Sequence, residues 1–184
     1  RIQKGVSARD MSLSLGQSES YINKIENKRE ILFEILALAL IALFCFSITP
    51  KTLQNDTYYT VSIGNLILEN GIDMKDHYSW HKDLPYTYPH WLYDVLTALV
   101  YNLGGWNLIY VATCALSILL GFVIYKVNTS LNKNQVVSFV LTIGVMYLIK
   151  GYIAARAQLV TFILYMIVIF LIEEFLKNPK KLRL

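Results

Sequence analysis

Charged side chains are scarce in this chain. Lys, Arg, Asp and Glu make up 16% of it against 55% hydrophobic residues, a balance that excludes an ordinary soluble domain of this size. Cysteine is almost absent. Cys45 and Cys114 both fall inside apolar runs, where a free thiol acts as a small hydrophobe, so no disulfide framework is expected and nothing follows about redox compartment. No internal repeat or low-complexity stretch is present. No secretory signal peptide is read, because the first apolar run is too long and lacks a small-residue cleavage site. The formal net charge of +4 is too modest to imply nucleic acid by itself; where the charges fall matters more.

What is present is a series of apolar runs. A bilayer takes about 20 mainly apolar residues to cross as a helix, and four segments are read as spans: 31–49, 106–125, 136–155 and 157–176. Glu34 interrupts the first and Pro50 stops it. The third is short unless Gly151–Ala155 extends it past Lys150. The expected fold is therefore an all-α polytopic membrane protein with about four transmembrane helices. It divides into a segment 1–30 and a transmembrane region 31–184.

Basic residues set the expected orientation. Arg1, Lys4, Arg9, Lys24, Lys28 and Arg29 precede the first span; Lys126 and Lys133 flank the link between the second and third; Lys177, Lys180, Lys181 and Arg183 follow the fourth. The positive-inside rule puts all three groups in the cytoplasm. The loop 50–105 is then external, together with the turn holding Lys150 and Arg156. That loop holds all three histidines and two of the three tryptophans, an unusual density of groups able to titrate, stack or bind phosphate.

Two amphipathic helices are expected inside the loop. The first is capped by Asn55 or Asp56, carries Tyr59, Ile63, Leu66 and Ile67 as its stripe, and ends near Asn70 at Gly71. The second covers Trp91–Leu103 with Leu92, Leu96, Leu99 and Leu103 on one side. It is too short to span and is expected to lie in the interface before Gly104 and Gly105 turn the chain into the second span.

A span followed by an outward acidic residue and a helix with glycine resembles the GT-C membrane glycosyltransferases. The chain is similar in particular to the bacterial dolichyl-phosphate-mannose protein mannosyltransferase-like group. The residues carrying the likeness are Asp56-Thr57-Tyr58-Tyr59, Gly64, Asp76-His77-Tyr78-Ser79, His90-Trp91-Leu92 with Asp94 behind, and Arg156-Ala157-Gln158. In the last, Ala157 stands where those proteins commonly have proline. The resemblance covers roughly Ile31 to Lys177.

It implies transfer of a sugar from a lipid-linked polyprenyl-phosphate donor at the outer face of a bacterial plasma membrane, with the N-terminus cytoplasmic. It also implies a catalytic carboxylate at Asp56, since a carboxylate can take a hydroxyl proton as the acceptor attacks the anomeric carbon. Arg156 would bind the departing phosphate, its planar fork matching two oxygens; Lys150 is a second cation, and Asp76 and His90 are further binding residues.

Each of these has a plainer alternative. Asp56 can cap a helix, Arg156 can snorkel, Asp76 and Ser79 can start a turn, and His90-Trp91 can anchor the interfacial helix. His77, His81, His90, Asp73, Asp76 and Asp83 offer donors for a divalent ion, but their spacing matches no ligand signature, and no metal or other cofactor is expected.

Residues 7–27 tell a second story. They resemble part of a phage-repressor-like (Cro/C1-type) helix-turn-helix, with Ser7 as first cap, Gly16 in the turn and Ser18 as second cap. Tyr21, Ile22 and Ile25 would face a core, leaving Gln17, Glu19, Ser20, Asn23 and Lys24 toward a major groove. Such a domain cannot build a core from about thirty residues, and the apolar run follows Glu30 at once, so DNA is an unlikely partner for what reads as a truncated remnant.

Opening on Arg1 rather than Met implies residues upstream, and Lys180-Lys181-Leu182-Arg183 reads as a loop ahead of a further span. The expectation is the N-terminal part of a glycosyltransferase, whose donor cavity is incomplete. The alternatives are a membrane-tethered DNA-binding regulator and a polytopic protein without catalysis.

Overall fold

The computed structural model describes residues 6–81 and 84–177; Arg1, Lys4, Asp83, Lys180, Lys181 and Arg183 lie outside them. Among the described residues the protein is all-helical. Its elements are α1 (Ala8–Ser14), α2 (Tyr21–Ile48), α3 (Asn55–Asn70), α4 (Trp91–Asn132), α5 (Gln135–Leu148) and α6 (Ala157–Lys177). Three of them, α2, α4 and α6, are long and apolar enough to cross a membrane. The chain divides into two compact units, Arg1–Leu40 and Ile41–Leu184.

In the first unit, Ser7 caps α1 by accepting from the Asp10 N–H at 3.1 Å, and Gly16 takes the left-handed φ of 66° that the following turn needs. Ser12 is fully buried; its hydroxyl donates to the Ala8 carbonyl and accepts from the Ile22 N–H. Ser18 closes the turn through its carbonyl, which accepts from the Tyr21 N–H at 2.9 Å. The residues expected to form a core divide: Ile22 is half-buried, whereas Tyr21 and Ile25 are exposed. A seven-residue helix and one turn offer too little surface to cover all three.

The second unit is organised around α4. Gly104 and Gly105 break it into an arm before the kink and a longer arm after it, with Gly105 at φ 63°. The short arm does not turn its leucines inward. Leu92, Leu96, Leu99 and Leu103 are all exposed, while Asp94, Thr97 and Ala98 are buried. Helix α3 behaves the same way. Its packed face is Thr57, Thr60, Val61 and Gly64, joined by Ile63, and of the expected stripe Tyr59 is exposed and Leu66 and Ile67 only half-buried. Small residues are inside because α3 and α4 approach closely. A Cβ on Gly64 would overlap the Asp94 carbonyl and come within 2.6 Å of the Ala98 Cβ. Gly121 does the same for α4 against the end of α2, where Ile41 and Cys45 would each lie 2.8 Å from an added Cβ.

Helix α5 stops at Leu148, followed by a 3-10 turn over Lys150–Tyr152 and an extended Ile153. The expected continuation of that helix to Ala155 is therefore absent. Its fourteen residues reach about 21 Å at 1.5 Å each. The path is fixed at both ends. Asn134 caps α5 beside the end of α4, and Asn128 donates to Thr142 at 3.3 Å. At the other end Ala155 packs with Val61 and Ile109 at the kink, beside Trp106. Helix α6 then returns along the long arm of α4 until the Lys177 ammonium donates to the Ser130 carbonyl at 3.1 Å.

Between α3 and α4, residues 71–90 form a small lobe. Gly71 ends α3 at φ 75°. Asp76 N–H donates to the Leu84 carbonyl and Tyr86 N–H to that of Met74. Asp73 organises the lobe, accepting from the Tyr88 hydroxyl at 3.1 Å and pairing with His77 Nε2 at 2.6 Å.

Candidate functional site

The first turn of α3 and the segment leading into α6 are held together by a buried hydrogen bond, in which the Thr57 hydroxyl donates to the Ala155 carbonyl at 3.2 Å. Thr57 is fully buried, so its neighbour Asp56 turns outward beside Arg156. The Asp56 carboxylate accepts from Arg156 Nη2 at 2.6 Å across one hundred positions of sequence. Asp56 is not the cap of α3. That position belongs to Gln54, which makes no side-chain cap bond, and Asp56 lies in the first turn. There its negative charge also suits the positive end of the helix dipole.

These two residues border a cavity of about 330 Å³ lined by Asp56, Tyr59, Thr60, His90, Arg156, Ala157 and Gln158. Of the five residues singled out in the sequence as catalytic or binding, three meet here: Asp56, Arg156 and His90. The other two do not. Lys150 lies over the Tyr147 ring at 4.2 Å, a cation–π contact. Asp76 accepts from the N–H groups of Tyr78 and Ser79, the turn-forming use of an aspartate.

Arg156 Nε is buried and has no hydrogen-bond partner among the described residues, although the side chain as a whole is 40% exposed. The Tyr59 phenol, also lining the cavity, has its pKa pushed up by burial, then by a hydrogen bond with Tyr86. It stays protonated near neutral pH and can donate but cannot serve as a base.

Two features were missed in the sequence. Thr60 lines the cavity from the packed face of α3, and no local signal marks it. Asp94, noted only as lying behind His90, is 1% exposed, and both its carboxylate oxygens lie 2.9 Å from His90 Nδ1. The four-residue spacing at a helix start was the available clue.

Among the described residues no group of three or more His, Cys, Asp or Glu converges as a metal site would require. His77 pairs with Asp73 in the lobe, and His81 stacks against Trp80 with ring centroids 4.9 Å apart. In the first unit, Gln17, Glu19, Ser20, Asn23 and Lys24 are all exposed, but Glu19 is paired with Arg9 at 2.8 Å.

No family model, no curated protein and no solved structure matches this chain. The functional reading therefore rests on the site itself.

Proposed function

We propose that this chain is an integral membrane glycosyltransferase, or the N-terminal part of one, that moves a sugar from a polyprenyl-phosphate donor to an acceptor at the outer face of a bacterial plasma membrane. The observation carrying this reading is the meeting of Asp56 and Arg156 at the mouth of one cavity, as the GT-C resemblance requires. Asp56 is the carboxylate that meets the acceptor hydroxyl, the position the resemblance names. Arg156 neutralises the phosphate as it departs, using its fork and the buried Nε donor that lacks a partner. In the unliganded site the two charges satisfy each other, and donor phosphate competes with Asp56 for the guanidinium. A cation fixed where anionic charge develops lowers the barrier of the transfer step.

The membrane reading has independent support. Leu43, Phe46, Val111, Leu119, Val140, Leu164 and Leu171 are large, apolar and exposed, and such side chains need lipid or another apolar cover. We read four passes: α2, the long arm of α4, α5 completed by its following turn, and α6. Support for the third comes from the path of the chain, which runs from Lys133 at the end of α4 back to Ala155 at the kink. With Lys126, Lys133 and Lys177 in the cytoplasm, the cavity and the lobe face outward.

The DNA-binding alternative draws less support, since Glu19 is tied to Arg9 and Tyr21 and Ile25 are exposed rather than packed.

The decisive experiment is donor binding in nanodiscs with a panel of polyprenyl-phosphate sugars. Saturable binding that Arg156→Ala weakens, while Asp56→Asn binds but does not transfer, is the expected result. No saturable binding to any donor overturns the proposal.

A further inference from the structure

Asp94 is a nearly fully buried carboxylate, and a buried charge is retained only where partners hold it. Its partners are specific. His90 Nδ1 lies 2.9 Å from both oxygens, and Thr60 adds a side-chain hydrogen bond. His90 precedes α4 as its N-cap residue but makes no side-chain cap bond; the ring reaches back to Asp94 instead. The exposures differ sharply, with the His90 side chain at 43% and that of Asp94 at 2%. An imidazole fixed by one nitrogen to a buried carboxylate presents its other nitrogen on the far side of the ring, and His90 lines the cavity that Asp56 and Arg156 border.

An ionised carboxylate can only accept hydrogen bonds, so the proton between the pair belongs on Nδ1 and Nε2 carries the lone pair. Asp56, by contrast, is 63% exposed and pairs with Arg156 only until donor phosphate competes for that guanidinium. An imidazole held by one nitrogen keeps the other free to take a proton from a hydroxyl within reach.

We infer that Asp94 is a positioning residue that holds His90 with Nε2 toward the cavity, and that His90, rather than Asp56, takes the proton of the acceptor hydroxyl. This rests on the transferase reading and refines its proton path. The acceptor O–H proton passes to Nε2 as that oxygen forms a bond to the anomeric carbon. The bond from that carbon to the phosphate oxygen breaks, its electron pair leaves with the polyprenyl phosphate, and Arg156 meets the anion. Asp56 stays ionised throughout, orienting the hydroxyl and Arg156. The charged and titratable groups around His90 are Asp94 on its own helix, Asp56 and Tyr59 from α3, and Arg156 ahead of α6.

The test separates the pairing from the reaction. In protein labelled with ¹⁵N-histidine and carrying His77→Gln and His81→Gln, one imidazole remains. Its nitrogen shifts at pH 8 should report a protonated Nδ1 and a bare Nε2, a preference lost in Asp94→Leu, which removes the acceptor at similar size. A purely structural Asp94 would change the melting temperature in that variant without changing the tautomer. The opposite tautomer in the Asp94 protein, which needs no variant at position 94, overturns the inference. In the transfer assay His90→Gln should lose about 10²–10⁴-fold in kcat with donor affinity within about twofold; unchanged kcat overturns the proton path. Absence of donor binding and transfer in the unsubstituted protein instead overturns the transferase reading, whatever the tautomer.

Discussion

Arg156 illustrates how little an ion pair says about stability and how much it can say about function. Its contact with Asp56 is short at 2.6 Å, but the side chains are 40% and 63% exposed. Exposed pairs of this kind contribute about 0–1 kcal/mol after solvent screening. Arg156→Ala should therefore leave the thermal midpoint in detergent within about 4 °C, as a loss of that size permits for a chain this long. Donor affinity should behave differently. Removing hydrogen bonds to a charged phosphate costs about 1.5–3 kcal/mol, or roughly 10–150-fold in Kd, and Arg156→Lys should recover only part because an ammonium lacks the two-pronged geometry. A large stability loss with unchanged donor affinity would make Arg156 a structural anchor. The pairing itself lay beyond sequence reading, since no periodicity links positions one hundred apart. The resemblance to a known family named Asp56 and Arg156 separately, and only the Thr57–Ala155 hydrogen bond explains why they meet. Lys150, with the same charge, is directed to Tyr147 by a local contact that sequence order does not reveal.

At the scale of elements, close packing of α3 on α4 decides where His90 and Asp56 stand relative to each other. Gly64 sits at that contact. Its Cβ would meet backbone, which cannot swing aside as a flexible side chain does, so Gly64→Ala should destabilise by about 1–3 kcal/mol, the usual cost of overpacking, and should weaken donor binding as the helices separate. Gly144→Ala is the control: nothing lies within 4 Å of the new methyl, and a helix-interior alanine should be neutral or stabilise by about 0.5–1 kcal/mol. Comparing the two melting temperatures checks the claim. The lobe supplies a second element-scale prediction. The hydrogen bond with His77 lowers the Asp73 pKa; burial opposes it as the second-largest effect, and the Lys75 N–H and Tyr88 hydroxyl add to the lowering. A carboxylate whose folded value lies below its unfolded value contributes stability above the unfolded value, about 3.9. That contribution is lost as pH falls below about 4 through the folded value. Amide protection of Tyr86, whose N–H bonds the Met74 carbonyl, should decline in that window, and Asp73→Asn should remove the pH dependence. Helix ends were legible here, because Gly71 and Gly105 take left-handed conformations that other residues resist. The buried faces were not. Amphipathic reasoning puts leucine inside, whereas the two helices bury Thr57, Thr60, Gly64, Asp94, Thr97 and Ala98 along with Val61 and Ile63, and Leu92, Leu96, Leu99 and Leu103 stay exposed. Helices that approach this closely leave room only for small side chains where they cross.

For the whole molecule the open question is how often the chain crosses, and α5 decides it. Fourteen residues give about 21 Å of helix against a hydrocarbon core of about 30 Å, so composition and length alone mark only three crossings. The contacts argue for a fourth. Lys177 returns to Ser130 near the end of α4, while the residues just before α6 pack at the kink against Ile109. The segment between Lys133 and Ala155 must therefore run the length of the long arm of α4, whatever part of it is helical. Single cysteines at positions 133 and 150, in a background where Cys45 and Cys114 are replaced, test this directly. Four crossings require an impermeant thiol reagent to reach position 150 from outside intact cells and position 133 only after the membrane is opened. Labelling of both from the same side would reduce the count to three. It would also put Asp56 and Arg156, which both line the cavity, on opposite sides of the membrane, which a 2.6 Å contact between them forbids. The topology experiment and the ion pair thus check each other.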